Sequence, residues 1–275
     1  MRATDEFWIC RTCAVEHDAP LDVCAICDDE RQWVPAEGQL WTSLDELTSE
    51  GYRAVMLELE PDLHAITTSP RAGIGQQSKL LITPEGNLLW DPVGFVDDDI
   101  VRQVLELGEV RAVVASHPHM FGVQVEWSRR LGNPPVLVAE ADLQWVARHD
   151  PVIEAWSDDV ELFTGVTLTQ PGGHFPGSAV VHWASGAEGR GVLLTGDTIF
   201  PNPDRHSVSF MRSYPNRIPL SGAVVQRIVR HVDAFAYDRV YGNFDNAIDA
   251  DARAILRRSA DRHADWVNGV FDHLT

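Results

Sequence analysis

All four cysteines of this 275-residue chain fall at its start, as CRTC and CAIC separated by ten residues. Paired C-x2-C knuckles present four thiolates to one tetrahedral ion, and the turn carrying each pair uses little chain. Cys10, Cys13, Cys24 and Cys27 are therefore expected to hold a structural zinc ion. The rest of residues 1–37 is short and rich in Asp, Glu and Pro, so metal binding must supply most of its folding free energy. Two disulfides are the alternative, disfavoured in a reducing compartment. With every cysteine used here, none remains for a catalytic thiol.

The pattern suits a zinc ribbon. A rubredoxin-like iron centre has the same knuckles, but rubredoxins usually follow each with glycine, where this chain has Ala14 and Asp28. His17 lies between the pairs and is not needed once four thiolates are present.

A formal charge of −19 repels phosphate backbones and anionic membranes, so neither nucleic acid nor a membrane is an expected partner. Lys79 is the only lysine, arginine taking its place elsewhere. MRATDEFWIC has no apolar core of a secretory leader, and no segment reaches the eighteen or so apolar residues of a membrane span. The chain is expected to be cytoplasmic. Nothing in it indicates an oligomeric state.

After Pro35, Thr42 or Ser43 is placed to cap a short helix ended by Gly51. RAVMLELEPDLHAITT, SKLLITPEG and NLLWDPVG read as strands, with TPEGN as a hairpin turn. DDDIVRQVLELG has helical spacing, and RAVVAS is a buried strand leading into SHPHMFG. PPVLVAE predicts a strand, ADLQWVARH a helix. VTLTQPGG, SAVVHWAS and GVLLTGD form a second batch of strands. GAVVQRIVRHVDAF is an amphipathic helix, DRVYGNF a strand and DADARAILRRSADRHADWVNGVF a terminal helix. Two batches of strands, each followed by helices, suggest two sheets with helices outside.

His117 and His119 stand two apart at a strand end, with Pro118 expected to keep the pair extended. Alone, such a pair is weak. It gains weight from His174 in the glycine-rich GGHFPGS and from Asp197, which ends the buried strand GVLLTGD. Three imidazoles and a carboxylate suit zinc, or iron where the geometry is open.

Taken in order, these motifs resemble those of the metallo-β-lactamase-fold hydrolases over about residues 50–275. Asp91 in NLLWDPVG corresponds to the aspartate ending an early strand of that fold. SHPHMFG corresponds to its HxHxDH motif, GGHFPGS to its third histidine and TGD to its bridging aspartate. The resemblance implies an α/β (α+β) chain: an αββα sandwich over residues 38–275, with the zinc ribbon of residues 1–37 added in front. It also implies one metal on His117, His119, His174 and Asp197. The family's second metal uses the Asp and His of HxHxDH, where this chain has Phe121 and Gly122. It also uses a last histidine, where Asn243 or Asp245 stands. The losses fall on one side, so a mononuclear site is expected.

Zinc on three histidines can bring the pKa of bound water to about 7, enough for hydroxide to attack an ester, lactone, thioester or amide. Phosphodiesters usually engage two ions, which argues against a nuclease. The expectation is thus a mononuclear metal-dependent hydrolase of a small organic substrate, with Asp197 placed to take a proton from the water. SVSFMRSYPNRIPLSG should run over the metal mouth. Arg212, Tyr214 and Asn216 within it, with Arg205 and His206 nearby, are candidate substrate contacts, unless the stretch is simply a loop packed under its own aromatics. Glu126, on the helix expected to begin near Phe121, is the nearest acid able to replace the lost aspartate. His182 alternates within a strand and is expected to be packed or half-exposed, and His64, His149, His231, His263 and His273 have no partner motif. Two other readings stand beside the hydrolase: a mononuclear non-haem iron oxygenase, and a non-catalytic descendant whose ribbon binds a partner.

Overall fold

The computed structural model describes residues 7–275; residues 1–6, where part of the stretch read for a secretory leader falls, lie outside the described residues. The chain divides into two units, one ending at Trp156 and the other beginning at Ser157.

The first unit opens with the knuckles. Strand β1 (Trp8–Cys10) lies between β2 (Glu16–His17) and β3 (Trp41–Thr42), antiparallel to both. The second cysteine pair flanks and enters α1 (Ala25–Asp28). Of the two candidate caps for the next helix, α2 (Leu44–Ser49), Ser43 takes the role: its side chain accepts the Glu46 N–H.

A seven-stranded sheet follows, in the order β10-β9-β8-β7-β6-β5-β4. Strands β4 (Arg53–Glu60), β5 (Leu63–Ser69), β6 (Ser78–Leu81) and β7 (Asn87–Trp90) are antiparallel neighbours, TPEGN closing the last hairpin. From β7 onward the pairing with β8 (Val110–Val114), β9 (Val136–Ala139) and β10 (Ile153–Trp156) is parallel. That switch needs a crossover, which α3 (Asp98–Glu106) supplies between β7 and β8. Asp97 caps it by accepting the Ile100 N–H at 2.8 Å, and the same carboxylate accepts the Ala54 N–H at 2.9 Å. Strands β6 and β7 are buried at every position, which is why they read as continuous apolar runs rather than alternating ones. Lys79, the lone lysine, is among those buried residues.

Two sequence expectations change here. The helix after SHPHMFG is α4 (Gln124–Arg130), three residues later than expected, because Pro118–Met120 first forms a 3-10 turn. The helix expected over ADLQWVARH is only a 3-10 run, Glu140–Trp145, ending at an extended Val146. Its continuation is drawn away by the knuckles: the Asp18 N–H bonds the Ala147 carbonyl at 2.9 Å, and Arg148 pairs with Glu16. Tertiary contacts override a helical pattern in this way when the side chains have a stronger use elsewhere.

The second unit holds a six-stranded sheet, ordered β11-β12-β13-β14-β19-β20. Strands β11 (Val160–Phe163), β12 (Val166–Thr169), β13 (Val180–Trp183) and β14 (Val192–Leu194) are antiparallel, with the short turn α5 (Gly186–Gly189) before β14. The stretch expected to run over the metal mouth carries β16 (Val208–Ser209), paired with β15 (Phe200–Pro201) ahead of it, and a small ladder of β17 (Met211–Ser213) with β18 (Ile218–Pro219). Helix α6 (Gly222–Val232) then leads to β19 (Arg239–Tyr241), parallel to β14, then β20 (Ala247–Ile248) and the terminal helix α7 (Ala252–Val267). Val225, Ile228 and Val232 of α6 and Ile255, Leu256 and Ala260 of α7 share one core with Phe210 and Val240. Each large aliphatic side chain so buried contributes about 1.5–3 kcal/mol. Among the described residues, no helix is long and apolar enough to cross a membrane.

Candidate metal centre

The four knuckle sulfurs are buried and not disulfide-linked. Cys10 and Cys27 Sγ atoms lie 3.7 Å apart, and those of Cys13 and Cys24 3.8 Å apart. Four sulfurs each about 2.3 Å from a tetrahedral ion stand about 3.8 Å from one another. The donor set therefore fits the expected ion. Gln39 Nε2 donates to Cys10 Sγ at 3.2 Å, and His17 Nε2 lies 3.4 Å from Cys24 Sγ, so both polar neighbours brace thiolates rather than replace them. The neighbouring Cys10 pushes the Cys24 thiol down and the Cys13 and Cys27 thiols up, a division of charge that a divalent cation would remove.

In the first unit, β7 and β8 end side by side. Asp91, buried just beyond β7 in the left-handed region at φ +53, accepts the Ser116 N–H with its carboxylate. Ser116 Oγ in turn lies 2.9 Å from His117 Nδ1. Where Nδ1–H donates to that hydroxyl, Nε2 is the atom that could hold a metal ion. His117 itself is extended, at φ −169 and ψ 171. His119 is not the continuation of a strand, contrary to expectation. Proline fits the first position of a helical turn, where its missing N–H costs nothing, so Pro118 starts a turn instead of blocking one. That turn brings the two imidazoles to 5.1 Å between centroids at 75°.

Gly122 explains the break in the motif. At φ +51 it has a conformation that side chains rarely adopt, and a Cβ there would lie 2.0 Å from the Pro92 carbonyl oxygen. A histidine at this position has no room, whatever metal is supplied. Phe121 beside it is buried.

In the second unit, Gly172 and Gly173 take positive φ to turn the chain into His174. A Cβ on Gly173 would meet Ile228 Cδ1 at 2.6 Å, so the loop must press directly on α6. His174 Nδ1 donates to the Met211 carbonyl of β17 at 3.0 Å, leaving Nε2 to face Asp197 Oδ2 at 3.9 Å. Too long for a hydrogen bond, that separation is less than two metal–ligand bonds of about 2.0–2.2 Å laid end to end, so one ion can bridge the pair. Asp197 leaves β14 through Gly196 at φ +53, and Thr198 Oγ1 donates to the Gly172 carbonyl at 3.1 Å, tying the two ligand loops together. Tyr214 donates its hydroxyl to the Asp197 main-chain carbonyl at 3.0 Å. Burial holds that phenol well above its usual pKa, with the Asp197 charge adding to the effect. His117, His119, His174 and Asp197 are all buried and each offers a ligand atom.

The other expected contacts fare differently. Arg205 pairs with Asp249 and, with His206, lines a cleft of about 520 Å³ beside Asp251 and Arg258. Arg212 is half-buried on β17, and Asn216 is exposed at the β17–β18 turn, its N–H on Ser213 Oγ. Glu126 forms ion pairs with Arg130 at 2.8 Å and Arg148 at 3.6 Å. Asn243 is buried and Asp245 exposed. The sequence reading passed over Ser116 and the Met211 carbonyl. Ser116 adjoins His117 in the motif and was within reach of inspection; a main-chain carbonyl carries no sequence signal.

The family model of the Metallo-beta-lactamase superfamily matches residues 72–242. The chain belongs to the metallo-β-lactamase superfamily. It is 38% identical over 272 residues to the uncharacterized protein YmaE of Bacillus subtilis (strain 168), covering 97% of this chain and 99% of that one. Among solved structures, the DIM-1 metallo-β-lactamase is similar with a TM-score of 0.58 at 13% identity, over 77% of this chain and 97% of its own. The mono-zinc form of FIM-1 from Pseudomonas aeruginosa gives 0.53 at 15% identity, over 77% and 96%. The expected mixed α/β fold is thus the metallo-β-lactamase fold, preceded by a four-cysteine knuckle pair. Metallo-β-lactamase superfamily members are metal-dependent hydrolases, and the His and Asp side chains above are the candidate ligands of this one.

Proposed function

We propose that the chain is a hydrolase of a small organic substrate with a carbonyl electrophile, an ester, lactone, thioester or amide. In this reading His117, His119, His174 and Asp197 hold a single zinc ion, and a second zinc in the knuckles is structural. Residues 1–37 are then an accessory module of a catalytic domain over residues 38–275. The observation that carries this reading is the His174–Asp197 pair. Its imidazole is fixed by a carbonyl on Nδ1, with Nε2 directed toward a carboxylate at a one-ion separation.

Zinc in such a site supplies Lewis acidity toward a carbonyl and an acidified water. The chain's own groups set the geometry. Ser116 and the Met211 carbonyl fix the rings of His117 and His174 through Nδ1 and so aim Nε2 at the site. Asp197, with its main chain held by Tyr214, is the group placed to bind the ion through one oxygen and hold a proton on the other. The filled space at Gly122 supports one ion rather than two. That the same fold holds one zinc in FIM-1 agrees with this. The acidic surface supports a small-molecule substrate over nucleic acid.

The test is a panel of chromogenic esters, lactones and thioesters, run on protein stripped of metal and then reloaded with one zinc equivalent beyond the knuckle ion. Zinc-dependent turnover on at least one carbonyl class is expected. Turnover that appears only with iron and dioxygen would contradict the hydrolase reading.

A further inference from the structure

The knuckles and the histidine turn are joined through one buried carboxylate. Glu16 lies three residues after Cys13, on β2, paired in register with Ile9 beside Cys10. Its position depends on the knuckle: the Cys10 N–H bonds the Val15 carbonyl at 3.0 Å, the Ala14 N–H bonds the Cys10 carbonyl at 2.8 Å, and the adjacent His17 contacts Cys24 Sγ. From there Glu16 reaches the segment that follows His117 and His119. Its N–H bonds the Gly122 carbonyl at 2.9 Å. Its Oε1 accepts the Val125 N–H in the first turn of α4, a helix whose own cap residue Val123 gives no side-chain hydrogen bond. Its Oε2 binds Arg148 at 2.6 Å, and the Arg148 guanidinium lies 3.9 Å over the Phe7 ring.

We propose that Glu16 is a positioning residue that couples metal in the knuckles to the ligand geometry of the His117–His119 turn. This rests on the reading of those histidines as metal ligands. An ion on four thiolates fixes β1 and β2, β2 holds Glu16, and Glu16 holds both ends of the backbone between Gly122 and Val125. Without the knuckle ion, residues 1–37 lack the core to stay folded, and α4 loses its N-terminal acceptor. The turn just before it, Pro118–Met120, then loses its tie to the knuckles through Gly122 and keeps on its C-terminal side the Val123 N–H bond to the Val93 carbonyl at 3.4 Å.

Because every cysteine lies in the knuckles, a mercurial thiol reagent addresses that site alone. The experiment treats the full-length, zinc-loaded chain with p-hydroxymercuribenzoate and follows zinc released to a chromogenic chelator. It is paired with cobalt titrations of wild type, Glu16→Ala and Glu16→Gln, in which thiolate charge-transfer bands report the knuckle ion separately. Mercurial treatment is expected to release the knuckle ion and to weaken the second ion about tenfold. Glu16→Ala should keep the thiolate bands and bind the second ion about tenfold more weakly, and Glu16→Gln, which still accepts from Val125, should restore most of that affinity. A second ion held with unchanged affinity after mercurial treatment, or equally in Glu16→Ala and wild type, overturns the coupling. Wild type that binds no second ion at all refutes instead the metal reading of the histidines.

Discussion

The Tyr214 hydroxyl donates to the Asp197 main-chain carbonyl at 3.0 Å, while Met211, three residues earlier, accepts from His174 Nδ1. One short segment, β17 and the residue after it, thus orients an imidazole through its backbone and a carboxylate loop through a side chain. A stretch that looks in sequence like a substrate-binding loop serves at least as much to hold the ligands.

Tyr214→Phe keeps the ring and removes the hydrogen bond. It is expected to cost about 1 kcal/mol of stability and to weaken the ion at the His174–Asp197 pair several-fold. Thermal unfolding with and without added zinc checks both; a metal-induced stabilisation equal to wild type would show that the hydroxyl does not position Asp197.

Gly122→Ala puts a methyl against the Pro92 carbonyl oxygen in a left-handed conformation. A destabilisation of about 2 kcal/mol or more is expected by urea unfolding. Gly122→His, which restores a family residue in letters only, should not raise the zinc stoichiometry. A third equivalent in that variant would show that the space can open.

Ser116→Ala removes the partner of His117 Nδ1. Outer partners of metal-bound imidazoles typically account for about 10–100-fold in affinity, so zinc binding at the histidine set should fall by about tenfold with the knuckle ion retained. Competition with a chelator of known affinity measures it.

Burial lifts the Glu16 carboxyl from 4.5 to about 7, the Arg148 charge drawing it down by less than desolvation raises it. Between those values the folded chain holds the proton more tightly than the unfolded chain. This contribution to stability is therefore fully present below about pH 4.5 and is lost as pH rises through about 7. Glu16→Gln is neutral throughout and lacks the dependence. Its stability relative to wild type should improve between about pH 5 and about pH 8, by up to about 3 kcal/mol. A difference that stays flat with pH would mean that Arg148 compensates the buried charge in full.

Much of this candidate site is legible in the sequence because its candidate ligands are side chains in order along the chain. His117, His119, His174 and Asp197 announce their chemistry by residue type, and the buried strands before them fix where they emerge. The knuckles were legible for the same reason. What could not be read was held by partners without letters or far away. The Met211 carbonyl has no sequence signal, and Glu16 meets Val125 and Arg148 across 109 and 132 residues. The same distance effect misled the reading of ADLQWVARH, whose helical spacing yields to the pull of Asp18 and Glu16 on Ala147 and Arg148. Pro118 is expected from the sequence to keep the histidine pair extended, whereas at the first position of a turn it starts that turn.

In the proposed function the chain holds one ion on three histidines and an aspartate, beside one ion on four cysteines. Metal analysis of the full chain, alongside Asp197→Asn, His119→Ala and Cys13→Ser, tests it most directly. Two zinc equivalents are expected in wild type. His119→Ala should lose one, Asp197→Asn should bind that one weakly, and Cys13→Ser should lose the thiolate-bound ion. Three equivalents in wild type, or two that survive both the Asp197 and His119 exchanges, would rule out a single ion on these four side chains.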